Sequence, residues 1–324
     1  MADGDPVLFR DRHIAFSNGS VGKPLGLISA SPANYWQVIS DPASMPSVNI
    51  SGQLFIPSGN GQPLVCVIIA PGSLGVAESH IAHAEALTDA GHAAFILDSF
   101  GAREITNTVA DQTQFSFAAS AYDVLAAYRH LAELPEIDHR RIGAQGHSRG
   151  GTAVLTAATR DFADAVVGPD RGLFAAYAAY PWSGHQFLRP AVGAARVRAI
   201  IGDADDWCSP MQVQAHMHGI RLSGGHASFR LVPGARHSFD RGPPVIDVAE
   251  ASVSPAAPIA YVDRDGAFLH PLKNRPDPQL QDRDLMVYGL KAGFGRKGAS
   301  IGGTEAEASL FRADMREFWE RVIF

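Results

Sequence analysis

Cysteine is nearly absent, with two residues in a chain of 324. Cys66 sits inside an apolar run and Cys208 beside a loop, so neither a disulfide framework nor a cysteine-rich zinc site can be assembled. Both are expected to be packing residues. There is no Lys/Arg run either, and 27 basic against 33 acidic side chains leave a net charge of −6. That balance argues against nucleic acid or an anionic membrane as a partner. No uninterrupted apolar stretch reaches the roughly 20 residues a membrane-spanning helix needs. The segment Met1-Ala2-Asp3-Gly4-Asp5-Pro6 lacks the basic start and apolar centre of a secretion signal. The expectation is a cytoplasmic protein acting on a small molecule, with homo-oligomerisation left open. No internal repeat or low-complexity tract occurs.

What is present is ordinary for a folded protein, 46% hydrophobic and 19% charged, with ample material for a large core. Residues 1–47 are irregular, with short apolar pieces such as Val7-Leu8-Phe9 and Tyr35–Ile39 that suit edge strands. Val48–Pro57 alternates as a half-buried strand should and stops at a Ser-Gly-Asn-Gly loop. Leu64–Ala70 is a continuous apolar run, the pattern of a strand covered on both faces. A helical segment over 78–90 and the strand His92–Leu97 follow, the spacing of a right-handed parallel crossover. A longer helix over 114–133 precedes a strand at Arg141–Gln145, and further strand-like runs occupy Leu173–Tyr180, Val197–Ile201 and Ala227–Val232. At least six parallel-type strands therefore alternate with helices. The predicted class is α/β, one domain built on a mostly parallel sheet with helices on both faces. Residues 241–303 form an excursion too long for an ordinary loop, a lid or a subunit contact. A helix over 304–322 turns Ala308, Phe311, Met315, Phe318 and Trp319 to the core.

The stretch Gly146-His147-Ser148-Arg149-Gly150 fits Gly-x-Ser-x-Gly. A serine on a sharp turn between strand and helix stands above the sheet, and close packing there leaves no room for side chains on its flanks. The bare pattern is weak, but the strand before it and the helix after it supply the required setting. A serine hydroxyl is a poor nucleophile at neutral pH and needs a histidine base oriented by a carboxylate. Two downstream strands end in such groups. Gly202-Asp203-Ala204-Asp205-Asp206-Trp207 follows one, and Pro233-Gly234-Ala235-Arg236-His237-Ser238-Phe239-Asp240 follows the next. Both lie at strand carboxyl ends, where the site of an open α/β sheet forms.

These pieces, with Pro71-Gly72-Ser73-Leu74-Gly75, Asp98-Ser99-Phe100-Gly101-Ala102-Arg103 and the closing helix, make the chain resemble an α/β-hydrolase of the dienelactone hydrolase-like group over about residues 60–240 and 303–324. The enzyme that gives the group its name uses cysteine as nucleophile, whereas Ser148 stands here, and the excursion is atypical. The resemblance therefore implies a serine esterase working through an acyl-enzyme rather than a dienelactone hydrolase proper, with no cofactor. It implies Ser148 as nucleophile, His237 as base, and Asp205 as the acid, three residues beyond Gly202. Asp206 is held in reserve, and Asp203 is read as a turn cap. The oxyanion hole would use the backbone N–H groups of Arg149 and Ser73, with Leu74 next. Runner-up readings are an acyltransferase or peptidase on the same triad, and a ligand-binding protein with an idle site.

Around that centre Leu74, Arg103, His147, Trp182 and Trp207 are candidate substrate contacts. Each has a plainer reading. Arg103 and Arg149 suit an acidic substrate group or a rim salt bridge, His147 suits packing below the turn, and the tryptophans suit an acyl-pocket wall or the core. Of the 13 histidines, His80-x-x-His83 and His216-x-His218 lack the pattern of a zinc site. Asp98 follows a strand as a ribose-binding acid would, but no Gly-x-Gly-x-x-Gly precedes it, which excludes a nicotinamide cofactor.

Overall fold

The computed structural model describes residues 8–58 and 62–323. Met1–Pro6, Val7 and residues 59–61 of the Ser-Gly-Asn-Gly loop lie outside them. The chain opens on β1 (Lys23–Ala30), α1 (Tyr35–Ser40) and β2 (Ser47–Phe55). β1, in a stretch the sequence did not single out, is an edge strand and pairs antiparallel with β2, Lys23 opposite Leu54. Tyr35–Ile39, read as strand-like, is helical. The Asn34 side chain accepts the Gln37 N–H at 3.0 Å and so caps the turn, and Tyr35 and Val38, three apart, are both buried. Six residues are too few for helical periodicity to be visible in the sequence.

β3 (Leu64–Ala70), α2 (Glu78–Asp89), β4 (Ala93–Asp98), α3 (Phe117–Leu131), β5 (Ile137–His147), α4 (Arg149–Ala158), α5 (Arg160–Val167) and β6 (Ala175–Ala179) follow. The short β7 (His185–Phe187), then β8 (Arg196–Gly202), α6 (Pro210–Leu222) and β9 (His226–Val232) complete the alternation. The sheet order is β1-β2-β4-β3-β5-β6-β8-β9. β4, β3, β5, β6, β8 and β9 run parallel to their neighbours, whereas β2 meets β4 antiparallel. From β3 the chain goes first to one side, to β4, and then to the other, to β5. The crevice outside the ends of β3 and β5 is therefore the switch point at which such sheets hold ligands. Every side chain of β3 is buried, as its unbroken apolar sequence requires.

The segment 241–303 is structured. β10 (Ile246–Val253), β11 (Ala260–Val262), β12 (Phe268–Leu269), α7 (Asp282–Lys291) and β13 (Arg296–Ile301) precede the final helix α8 (Glu305–Ile323). β10 pairs antiparallel with β13, Ile246 opposite Ile301. β11 adds parallel to β7 and antiparallel to β12. The Asn34 amide donates to the carbonyls of Pro278 and Leu280, both at 2.9 Å, and ties the segment to α1.

α8 buries Ala308, Phe311, Met315, Phe318 and Trp319, the face its sequence marks. The Trp319 indole donates to Gln145 Oε1 at 2.9 Å. Directly preceding Met315 in sequence, Asp314 accepts from Arg198 Nε at 2.8 Å, Arg230 Nη1 at 2.6 Å and the Tyr177 hydroxyl at 2.9 Å. The helix is thus bound to β6, β8 and β9 at once. Among the described residues no helix is long and apolar enough to cross a membrane.

Candidate active site

β5 explains the elbow through its period of two. On one face, a Cβ at Gly143 would meet the Trp319 ring at 2.7 Å, and Gln145 bonds that same indole. On the other face, a Cβ at Gly146 would stand 2.0 Å from the Gly150 carbonyl, and one at Gly150 would stand 2.0 Å from the Ala70 carbonyl. Strand, turn and helix touch backbone to backbone, so both flanking glycines are steric necessities. Between them Ser148 adopts φ 55°, ψ −116°, a conformation that L-residues hold only when the surroundings enforce it. Its own N–H donates to the Ala179 carbonyl at 2.9 Å.

The turn delivers Ser148 Oγ to His237 Nε2 at 2.9 Å, and His237 Nδ1 lies 2.8 Å from Asp205 Oδ2. All three are buried. A carboxylate only accepts, so the imidazole carries its proton on Nδ1 and leaves Nε2 free to accept from the serine. The other Asp205 oxygen accepts the Trp207 and Cys208 N–H groups at 2.9 and 2.8 Å, which orients the carboxylate. Trp207 stacks on the His237 ring at 5.1 Å and Tyr180 meets it edge-on at 4.8 Å. Asp206 points away, accepting the Ser300 N–H at 3.0 Å. Asp203 accepts the Gly234 N–H at 2.6 Å, a cap across two loops rather than within its own.

The Pro71–Gly75 loop passes beside the elbow, since a Cβ at Gly72 would lie 3.2 Å from Ser148 Cβ. Ser73 is fixed by its carbonyl, which accepts the Thr108 N–H at 2.8 Å, and by its hydroxyl, which donates to Gln112 Oε1 at 3.0 Å. Among the described residues, neither the Ser73 nor the Arg149 N–H donates to a protein acceptor. The Arg149 side chain turns inward. It is buried between the rings of Phe115 and Phe117, at 4.3 and 4.2 Å, and donates to the Ser120 hydroxyl and the Gln112 carbonyl. Burial lowers it to about 10.

A cavity of about 580 Å³ opens beside Ser148. Ser73, Phe117, Trp182, Trp207 and Cys208 wall it from the sheet side, and Val253, Ala257, Leu285, Met286, Gly289 and Leu290 of the long segment roof it. Trp182 and Trp207 therefore stand where substrate contacts were expected. Leu74 borders a smaller adjoining cavity together with His147, Ser148 and His237.

Arg103 belongs elsewhere, and His147 lines only the smaller cavity. Arg103 does not reach the cavity, because all five of its N–H donors are engaged, two on Asp123 and the others on Ser31, Ser99 and Ala30. A bidentate buried pair of this kind has no donor left for substrate. His147 lies below the turn, 2.9 Å from the Tyr180 hydroxyl and stacked on His83. Burial lowers it well below its ordinary value.

The sequence reading missed the group to which His147 belongs. Asp240 accepts from the Tyr180 hydroxyl at 2.6 Å and sits 3.1 Å from His83 Nε2. Burial alone would raise its carboxyl, but the His83 hydrogen bond and its neighbours hold it below the usual carboxylate range. His83 and Asp240 are 157 residues apart, and no local signal links them. Ligand-capable atoms of His83, His147 and Asp240 lie within 4.8 Å of one another, as do those of Asp205, Cys208 and His237. In each group the carboxylate is already hydrogen-bonded. In His216-x-His218 the first ring is buried and the second exposed, so the two do not converge.

Asp282 was missed as well. It is buried in the cavity wall, where Oδ2 accepts the Phe117 N–H at 2.7 Å and Oδ1, 3.8 Å from His185 Nδ1, has no hydrogen-bond partner among the described residues. Burial pushes its carboxyl up to about 6. The folded protein thus keeps a proton that the unfolded chain sheds near pH 4, and the stability this confers is complete below pH 4 and lost as pH rises through 6. Asp282→Asn keeps an oxygen for Phe117 and removes the charge. It is expected to raise stability by about 1–3 kcal/mol at pH 8 and by little near pH 4. Thermal melts at both pH values check this, and an equal gain at each would locate its source outside the carboxyl.

The dienelactone hydrolase family profile matches residues 50–257. Among solved structures, the chain is similar to a dienelactone hydrolase-like promiscuous phosphotriesterase from metagenomic libraries, at 18% identity and TM-score 0.46 over 67% of this chain and 84% of that one. It is similar to a thermophilic esterase from Thermogutta terrifontis with propionate bound, at 13% identity and TM-score 0.48 over 65% and 85%. It is also similar to the protein Est1E from Butyrivibrio proteoclasticus with ferulic acid bound, at 17% identity and TM-score 0.46 over 59% and 88%. No protein of curated function matches the sequence.

Proposed function

The chain belongs to the dienelactone hydrolase family and is a hydrolase with the α/β-hydrolase fold, and we propose that it acts as a serine esterase on carboxylic esters through an acyl-enzyme. The observation that carries this reading is the unbroken row from Ser148 Oγ through His237 to Asp205, with contacts of 2.9 and 2.8 Å at the carboxyl ends of β5, β8 and β9.

His237 Nε2 takes the hydroxyl proton as Ser148 Oγ adds to the ester carbonyl, and the oxyanion that forms is met by the N–H groups of Ser73 and Arg149. Each such donor is worth about 10²- to 10³-fold in rate. His237 then hands the proton to the departing alkoxide, which leaves as the alcohol, and the acyl group stays on Ser148. A water molecule, deprotonated by the same nitrogen, adds to the acyl carbon. Collapse of that second intermediate returns the proton to Ser148 and releases the acid. Asp205 holds the imidazole in the tautomer that both steps need and stabilises the imidazolium. The backbone at Ser148 is strained before substrate arrives, which places Oγ without further rearrangement.

A fluorophosphonate probe tests the assignment. Stoichiometric labelling of Ser148, located by peptide mass spectrometry and lost in Ser148→Ala, is the expected result. Label on another residue, or hydrolysis of a short acyl ester undiminished in Ser148→Ala, would sink it.

A further inference from the structure

The cavity beside Ser148 holds about 580 Å³, within the range of about 300–1,000 Å³ typical of sites that enclose drug-sized ligands. A site serving only acetyl or propionyl esters has no use for that space. Its walls are chiefly apolar. Phe117 and Trp182 stack on each other at 4.5 Å, and Trp207 faces the cavity from its place on His237. Across from them α7 presents Leu285, Met286 and Leu290, the last of which is 56% exposed. An apolar side chain this open, facing a cavity that contains the nucleophile, is a surface for the substrate to cover. Gly289 adds a second observation. It lines the cavity, lies within α7, and a Cβ built on it meets no atom within 4 Å. A helix interior loses stability through glycine relative to alanine, and no neighbouring atom requires one here, so the position is held open toward the cavity.

We propose that the site takes esters carrying a bulky, predominantly apolar group, and that α7 sets the upper limit on its size at Gly289. This rests on the serine esterase reading above. The bulky group sits on either the acid or the alcohol side of the ester, and two substrate series separate these sources. One is 4-nitrophenyl acyl esters from acetate to laurate, and the other is acetates of alcohols of matching size. In one series kcat/KM rises at least about tenfold from the smallest member to the large ones, since added methylenes in an apolar pocket discriminate on that scale. Gly289→Trp fills the space and lowers that large-to-small ratio at least about tenfold, and the smaller Gly289→Leu, the safer variant for folding, lowers it by less. The proposal is overturned if the acetate is the best substrate of both series, or if both folded variants keep the parental ratio. Titration with a small fluorophosphonate keeps the two readings apart. Ser148 labelled with acetate preferred overturns the size inference alone, whereas Ser148 unlabelled with no ester turned over removes the esterase reading beneath it.

Discussion

Asp205→Asn is expected to lower kcat on a 4-nitrophenyl ester by about 10⁴-fold, the loss measured for the equivalent change in a serine protease triad. Asp205 Oδ2 is 2.8 Å from His237 Nδ1, and its other oxygen is held by two backbone N–H groups. An amide in that place can turn its NH₂ to the ring, which draws the imidazole proton to Nε2 and leaves the histidine unable to accept from Ser148. The fold should survive, because an amide oxygen can still take the Trp207 and Cys208 N–H groups. Asp206→Asn is the matched control. Its carboxylate bonds Ser300 rather than His237, so a change of less than about tenfold is expected from the loss of charge outside the catalytic row. Stopped-flow or steady-state rates on both folded variants decide the matter, and a reversed order would move the acid to Asp206.

Asp314→Ala is expected to cost about 3 kcal/mol of stability, at the lower end for removing one partner of a buried ion-pair network. Asp314 is 1% exposed and receives two arginines and a tyrosine. Its removal leaves the Tyr177 hydroxyl buried without an acceptor and two guanidinium groups facing each other. The lower end applies because the Arg198 and Arg230 side chains keep 21% and 36% of their exposure and remain partly hydrated. For a chain of 324 residues the loss corresponds to a fall in Tm of roughly 4–5 °C. A fall under about 2 °C would mean that the apolar face of α8, not Asp314, holds the helix down.

The parallel sheet was legible because its strands are buried on both faces and so carry continuous apolar runs, Leu64–Ala70 above all. The elbow was legible because backbone contact at Gly146 and Gly150 leaves the sequence no alternative. Asp205 and His237 could be read from their places just after strands, where chain order supplies what distance cannot. The roof could not. β10 finds its partner across a gap that includes α7, with Ile246 opposite Ile301, and its burial does not follow the period of two that would mark a strand. Arg103 was misplaced because its motif follows a strand end beside the site, yet its side chain turns away from Ser148. It goes to Asp123. A residue beside an active-site motif is assigned by the direction of its side chain, which sequence spacing does not record.

The end of the roof is also the seat of the histidine. Ile301 bridges in parallel to His237, and the Gly302 N–H donates to the His237 carbonyl at 2.9 Å. This divides the segment into parts with different freedom to vary over evolution. The face of α7 that lines the cavity, with Leu285, Met286 and Leu290, makes no such bond to the His237 loop, so on the reading proposed above single substitutions there change the room beside Ser148. A length change within β13 shifts the register against β10 and with it the contacts of Ile301 and Gly302 to His237. Libraries aimed at new specificity should therefore diversify Leu285, Met286, Gly289 and Leu290 and leave 296–303 untouched.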